Sequence, residues 1–397
     1  MSKPLENVRV LDLTNVLAGP FCCHQLAHMG AEVIKVEAVG RGDLARQLGA
    51  DPDLNSRNMG VSFLAQNAGK KSVTVNLKHP DGKAVFLRLV KTADVVVENF
   101  RPGVMTRLGV GYEELKKLKP DLVYCAISGF GQEGPWVHRP AYDQIIQGAS
   151  GVMSITGDEE SAPLRVGYPI ADTVGGMTAA FAIAASLNGT PKGGFLDISM
   201  LESVLSTMGW AVSNHLIAGQ EPRAHGNENP TSAPSGAFEA GGGLLNIAAN
   251  KDEQWVLLTN HLDLAHLRDR PEYATREDRK KNRKALKGEI EEVLRTRPAR
   301  DWAEELNRIG VPAGAILSVP EILSVPQIAD RGFLCTFAEV PGVGRDIQVV
   351  TTGIKVNGKA PTVADPPPQL GQHNEQVWRE LGLSDSEMEN LKYSGAI

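Results

Sequence analysis

One carboxylate, Asp172, stands in the stretch Arg165-Val-Gly-Tyr-Pro-Ile-Ala-Asp-Thr-Val-Gly-Gly-Met177, behind a proline turn and ahead of paired glycines. A carboxylate does covalent chemistry when it attacks an activated acyl group and forms a mixed anhydride. That reaction needs no metal. It needs open backbone to admit a bulky acyl donor and N–H groups facing the oxyanion of the tetrahedral stage. Gly175-Gly176 and Gly241-Gly242-Gly243 are suitable in type. The ordinary explanation of Asp172 is different: an Asp ahead of a small-residue helix, here Thr178–Leu187, is an N-cap.

Other candidates are weaker. His24 and His28 have the i, i+4 spacing of metal ligands, but the run His-Gln-Leu-Ala-His lacks the metalloprotease glutamate and a third ligand, so no metal is expected. Cys22 and Cys23 are adjacent and read as helix packing. Ser128-Gly-Phe-Gly131 lacks the Gly-x-Ser-x-Gly elbow of a hydrolase. Asn76, Lys78, Asn99, Arg101 and Arg107 each follow an apolar run. Singly they read as solvated loop residues; together, at the ligand-binding edge of a parallel sheet, they suit an anionic group such as a nucleotide phosphate.

The elements that must position these residues alternate. Val8–Leu13, Glu32–Glu37, Lys71–Leu77, Asp94–Phe100, Asp121–Ile127 and Gly194–Ile198 read as strands with helices between them. The first strand, turn, helix and strand form a βαβ unit of about thirty residues. This predicts an α/β fold: an open parallel-sheet, Rossmann-like large domain plus a smaller α+β domain. The dinucleotide fingerprint is absent, because the first loop offers Ala18-Gly19-Pro20 and Pro20 removes a donor. No Walker sequence occurs either. The expected organisation is a large domain at 1–200, a linker at 201–230, a small domain at 231–330, and a return segment at 331–397 that packs on the large domain.

The totals narrow the partners. With 397 residues and 42% apolar content the chain supports more than one core. Its net charge of −6 and the lack of a basic stripe argue against nucleic acid. No apolar run long enough to cross a bilayer is apparent, and the N-terminus lacks the regions of a signal peptide. Four scattered cysteines suit a reducing cytoplasm.

The ordered motifs also resemble one family. Val10-Leu-Asp-Leu-Thr14 with Ala18-Gly-Pro20, Gly30-Ala-Glu-Val-Ile-Lys-Val-Glu37, Gly42-Asp43 and Lys71-Ser-Val-Thr-Val-Asn-Leu-Lys78 carry the resemblance. So do Val97-Glu-Asn-Phe-Arg-Pro-Gly103, Ser128–Gly131, Ala141-Tyr-Asp143 and Ala171-Asp-Thr-Val-Gly-Gly176. Together they resemble the family III CoA-transferases of the CaiB/BaiF type, such as the formyl-CoA:oxalate and acetyl-CoA:oxalate enzymes. The match is dense from residue 8 to 210.

The resemblance implies that Asp172 attacks an acyl-CoA to give an aspartyl-acyl anhydride, which CoA thiolate converts to an aspartyl-CoA thioester. An acceptor carboxylate then takes the CoA. It implies CoA thioesters as substrates with no permanently bound cofactor. The CoA site carries over to Leu17, Ala18, Val75, Asn76, Leu77, Lys78, Asn99, Phe100, Arg101 and Arg107, with Tyr142 and Asp143 near the reacting groups. The two glycine runs carry over as the oxyanion and glycine loop. The family also implies ring-shaped chains in an interlocked homodimer.

The same fold hosts α-methylacyl-CoA racemases, whose histidine position is held here by Tyr142, thirty residues before Asp172; a tyrosine with a pKa near ~10 is a poor replacement. The oxalate-specific members carry glutamine at position 17 and arginine at 38, where this chain has Leu17 and Ala38. The more apolar Leu17 suits a donor larger than formyl. The expected reaction is CoA transfer to a small carboxylic acid, preferably a dicarboxylate.

Overall fold

The structure is a computed structural model that describes residues 3–397. Six strands form one parallel sheet: β1 (Arg9–Asp12), β2 (Glu32–Glu37), β3 (Lys70–Thr74), β4 (Val95–Glu98), β5 (Val123–Ser128) and β6 (Gly194–Ser199). Their order is β3-β2-β1-β4-β5-β6. Val10 of β1 pairs with Val33 on one side and Val95 on the other. A parallel sheet is covered on both faces, which is why Val95, Val96 and Val97 are all fully buried. One face packs Leu11, Ile34, Val73 and Val96 against Phe86 and Leu89 of the Pro80–Val90 helix and Trp378 of the Asn374–Glu380 helix. Helix α1 (Ala18–His28) follows β1 and packs along a long helix further down the chain, Ile170–Leu187.

The chain runs from β1 to β2 and β3 in one direction and from β4 to β6 in the other. Where the direction reverses, the loops after β1 and β4 diverge and leave a crevice at the carboxyl ends of those strands. The sequence placed all six strands; their order depends on long-range pairing and is read only from the structure.

The chain divides into two compact units. The first comprises the chain up to Val152, Arg165–Gly219 and Pro326–Ile397. It contains α2 (Asp143–Ala149), α3 (Ile170–Leu187), α4 (Met200–Thr207) and α5 (Trp210–Ala218). Residues 201–219, expected as linker, are therefore mostly helical and group with the sheet. The second unit comprises Met153–Leu164 and Gln220–Val325. Its antiparallel strands β7 (Ser235–Ala240), β8 (Gly243–Ala248) and β9 (Ala313–Ala315) pack with helices around Phe238, Trp255, Tyr273, Leu286 and Trp302. Nothing in the sequence marked 153–164 as part of this unit.

Helix α3 corrects one expectation. Its 18 residues are long and apolar enough, by length and composition, to cross a membrane, yet only 33% of that span is buried in the chain.

Candidate active site

A cleft of about 370 Å³ opens at the crevice between β1 and β4. Asn15, Val16, Leu17 and Ala18 line it from the loop after β1, and Asn99, Phe100 and Arg101 from the loop after β4. Tyr142 and Asp172 complete it from α2 and α3.

The first loop is held by side chains. Asp12 Oδ1 accepts from Thr14 N at 3.0 Å. The Asn99 amide accepts from Asn15 N and donates to Asn15 O, both at 2.8 Å. Asp43 Oδ1 accepts from Val16 N and Ala45 N at 2.9 Å, and Lys35 Nζ donates to Thr14 O at 2.8 Å. Lys35 also pairs with Asp43 Oδ2 at 2.9 Å, and Lys70 with Asp12 Oδ2 at 2.8 Å, all fully buried. Burial by itself raises the Asp12 carboxyl, but Lys35 and Lys70 outweigh it and hold Asp12 well below the usual carboxylate range. These latches keep Val16, a β-branched residue, at φ +67°, a left-handed conformation that costs on the order of 1–3 kcal/mol. Asn99 lines the cleft as it latches the first loop, with both ends of its amide on Asn15.

Asp172 is not an N-cap. The cap position of α3 is Pro169, and Asp172 is the third helical residue. The capping carboxylate comes from 29 residues earlier: Asp143 Oδ1 accepts from Ala171 N at 2.8 Å and Asp172 N at 3.4 Å. Gln147, fully buried one turn along α2, steers Asp143 by donating to its Oδ2 at 2.7 Å. Gln147 Oε1 accepts from Val166 N at 2.9 Å, which ties the segment before α3 to the same side chain. The loop leading into Tyr142 approaches β5 closely enough that a Cβ on Gly129 would sit 2.4 Å from Ala141 Cβ.

Among the described residues, no hydrogen bond reaches the Asp172 carboxylate. Burial, and then the charge of Asp143, push it from 3.8 up to about 7. The favourable dipole at the start of α3 is outweighed by burial first and by the Asp143 charge second. A half-buried, unpartnered carboxylate with a raised pKa, opening onto a cleft, marks a candidate functional group.

Gly175 and Gly176 are corrected from an oxyanion loop to a helix crossing. Both are buried inside α3; a Cβ on Gly176 would meet Ala18 O at 2.4 Å, and one on Gly175 would meet Met200 Cγ at 2.9 Å. Gly176 lets α3 and the start of α1 approach, which brings Asp172 and Leu17-Ala18 to one cleft, while Gly175 gives room to Met200 of α4. Gly241 and Gly242 form the β7–β8 turn, and with Gly243 they line an opening in the second unit beside Arg297, Arg300 and Glu321. They do not line the Asp172 cleft.

Val75, Asn76, Leu77, Lys78 and Arg107 also lie outside the cleft lining. Asn76 holds the C-terminal tail, donating from its backbone to Ala396 O at 2.8 Å and from its side chain to Gly395 O at 3.3 Å. Lys78, Arg101 and Arg107 are exposed and carry no ion pair among the described residues. His24 and His28 face each other edge-on with ring centroids 4.2 Å apart. Burial lowers them to about 3 and about 4, and His28 has no partner for either ring nitrogen. No group of three metal-ligating side chains forms among the described residues.

Two cleft features were missed from the sequence. The Gln147–Asp143 contact is an i, i+4 pair on one helix, a spacing that was visible. Ser128, at the end of β5, lines the cleft with its buried Oγ lacking a partner; the Ser128–Gly131 motif was visible, but no role at the site was assigned to it.

The fold is thus a parallel α/β sheet with a cleft at its switch point that exposes one unpartnered carboxylate. The sequence profile of CoA-transferase family III matches residues 5–374, and the chain belongs to that family. It is therefore a CoA-transferase. The chain is 37% identical over 403 residues to mouse succinyl-CoA:glutarate CoA-transferase, covering 100% of this chain and 90% of the relative. Identity to the Acetobacter aceti acetyl-CoA:oxalate CoA-transferase is 38% over 350 residues, covering 87% and 89%. The Haloarcula marismortui succinyl-CoA:mesaconate CoA-transferase is 36% identical over 392 residues, with 96% of both chains covered. The crystal structure of a CAIB/BAIF family protein from Brucella suis superposes with a TM-score of 0.83 at 32% identity, over 96% of this chain and 100% of that one.

Proposed function

We propose that the chain moves CoA from succinyl-, acetyl- or formyl-CoA to a small dicarboxylic acid, with Asp172 as covalent carrier. The observation that carries this reading is the unpartnered Asp172 carboxylate, raised to about 7, in the cleft at the β1–β4 switch point. An Asp172 oxygen attacks the thioester carbonyl, the C–S bond breaks, and CoA leaves as thiolate. The thiolate then attacks the Asp172 acyl carbon of the anhydride, releasing the donor acid and leaving an aspartyl-CoA thioester. The acceptor carboxylate repeats these two steps in reverse, and Asp172 is regenerated with no water consumed and no redox change. Lys78, Arg101 and Arg107 supply unpaired positive charge for the phosphates of CoA. The names of the relatives, with glutarate, oxalate and mesaconate as acceptors, support a dicarboxylate.

The chain works as an interlocked homodimer in this reading. Along apolar α3 and along α5, Met177, Phe181, Trp210, Leu216 and Ile217 are exposed. A second copy covering them hides an apolar face too large for a monomer. Four free cysteines, three of them buried, suit a cytoplasmic home.

The test crosses succinyl-, acetyl- and formyl-CoA with oxalate, succinate, glutarate and mesaconate, read by mass spectrometry. New acyl-CoA from a dicarboxylate supports the reading. Deuterium uptake from solvent at the acyl α-carbon without any acceptor acid points instead to a racemase.

A further inference from the structure

Arg165 stands beside Asp143, the carboxylate that holds the Asp172 end of α3. Its Nη2 lies 3.8 Å from Asp143 Oδ2, and its side chain is 49% exposed. Asp143 does not depend on it, since Oδ2 accepts from Gln147 and Oδ1 from the first turn of α3. Among the described residues the Arg165 guanidinium donates no hydrogen bond. Its five N–H groups, set in a rigid fork that matches a carboxylate, are available.

Asp143 is buried and committed to the backbone N–H groups of Ala171 and Asp172, and its charge reaches Asp172; a carboxylate bound at Asp172 meets the same repulsion. A neighbouring cation offsets that repulsion, and Arg165 is the one within ion-pairing distance of Asp143. Arg101, the cation that lines the cleft, lies instead on the loop after β4.

Building on the transfer reading above, we propose that Arg165 binds the distal carboxylate of the acyl group and so selects dicarboxylic over monocarboxylic acids. The near carboxylate does the chemistry: its oxygen attacks the Asp172–CoA carbonyl, and the C–S bond breaks. The distal carboxylate makes and breaks no bond and is held by the guanidinium fork. Because donor and acceptor acids pass through the same position, Arg165 acts on the distal carboxylate of succinyl-CoA as well.

The experiment compares wild type, Arg165→Gln and Arg165→Lys, with Arg101→Gln as control. Acceptors are glutarate against pentanoate and succinate against butanoate, with acetyl-CoA and succinyl-CoA as donors. Wild type is expected to favour each diacid at least ~10-fold in kcat/KM. Arg165→Gln is expected to collapse that ratio toward unity through KM, and Arg165→Lys to recover part of it. Arg101→Gln is expected to weaken all acids alike through the KM for acyl-CoA. The pH profile of kcat/KM should stay in place in Arg165→Gln. Equal losses for diacids and monoacids, a displaced pH profile, or an unchanged ratio would each overturn the assignment. A wild-type protein that forms no Asp172–CoA adduct with any donor sinks the transfer reading as well. An adduct with unaltered selectivity sinks the Arg165 assignment alone.

Discussion

Replacing Asp172 with Asn should make the protein more stable, and more so as pH rises. The carboxyl sits at about 7 in the folded chain against an ordinary value of 3.8. A group raised on folding contributes fully below its unfolded pKa, and that contribution is lost as pH climbs through the folded one. Above pH 7 the charged Asp172 therefore weighs against the folded state. Linkage over about three units gives an upper bound near 4 kcal/mol at pH 8 and under about 2 kcal/mol at pH 5. Because Asp172 opens onto the cleft, about half of that difference is the realistic expectation, on the order of 1–2 kcal/mol. Asn keeps the shape and removes the charge. Thermal melts of both proteins at pH 5 and pH 8 should show the Asn variant gaining a few degrees more at pH 8. An equal gain at both pH values, or a loss at pH 8, would refute the claim that the site holds Asp172 at a cost in stability.

Three further outcomes follow from the same geometry. Val16→Gly should stabilise the fold by about 1 kcal/mol, since glycine accepts φ +67° freely, while lowering kcat/KM by loosening the cleft wall; melts and steady-state kinetics check both. Gly176→Ala should cost at least ~2 kcal/mol and most of the activity, because its Cβ falls 2.4 Å from Ala18 O and forces α1 and α3 apart. His24 and His28 are held neutral by burial, so unfolding takes up protons as pH falls below their ordinary 6.5. At pH 5 this amounts to about 2 kcal/mol per ring as an upper bound, and a His24→Leu/His28→Leu chain should lose less stability than wild type between pH 7 and pH 5 in urea titrations.

Much of the scaffold was legible because strands buried on both faces leave apolar runs such as Val95–Val97, and loops between them leave polar ones. What failed were assignments that depend on distant partners. Asp172 looked like a cap because the capping carboxylate, Asp143, lies 29 residues away and nothing local announces it. Asn76 looked like a ligand clamp because a strand-end amide reads the same whether it meets a phosphate or the C-terminal tail. Gly175-Gly176 looked like an open loop, since a glycine pair does not reveal whether the space it leaves is filled by a ligand or by another helix. The cleft itself was legible only as a location, the carboxyl edge of a parallel sheet; the sheet order fixes which two loops build it.

The most direct test of the central claim is to trap the carrier. Wild-type protein incubated with succinyl-CoA or acetyl-CoA, then treated with borohydride or hydroxylamine, is digested and mapped by mass spectrometry. Asp172 is expected to be modified, reduced or converted to the hydroxamate, with no such product in Asp172→Asn or in protein given no acyl-CoA. Turnover by wild type with Asp172 unmodified, or transfer activity surviving in Asp172→Asn, would contradict it.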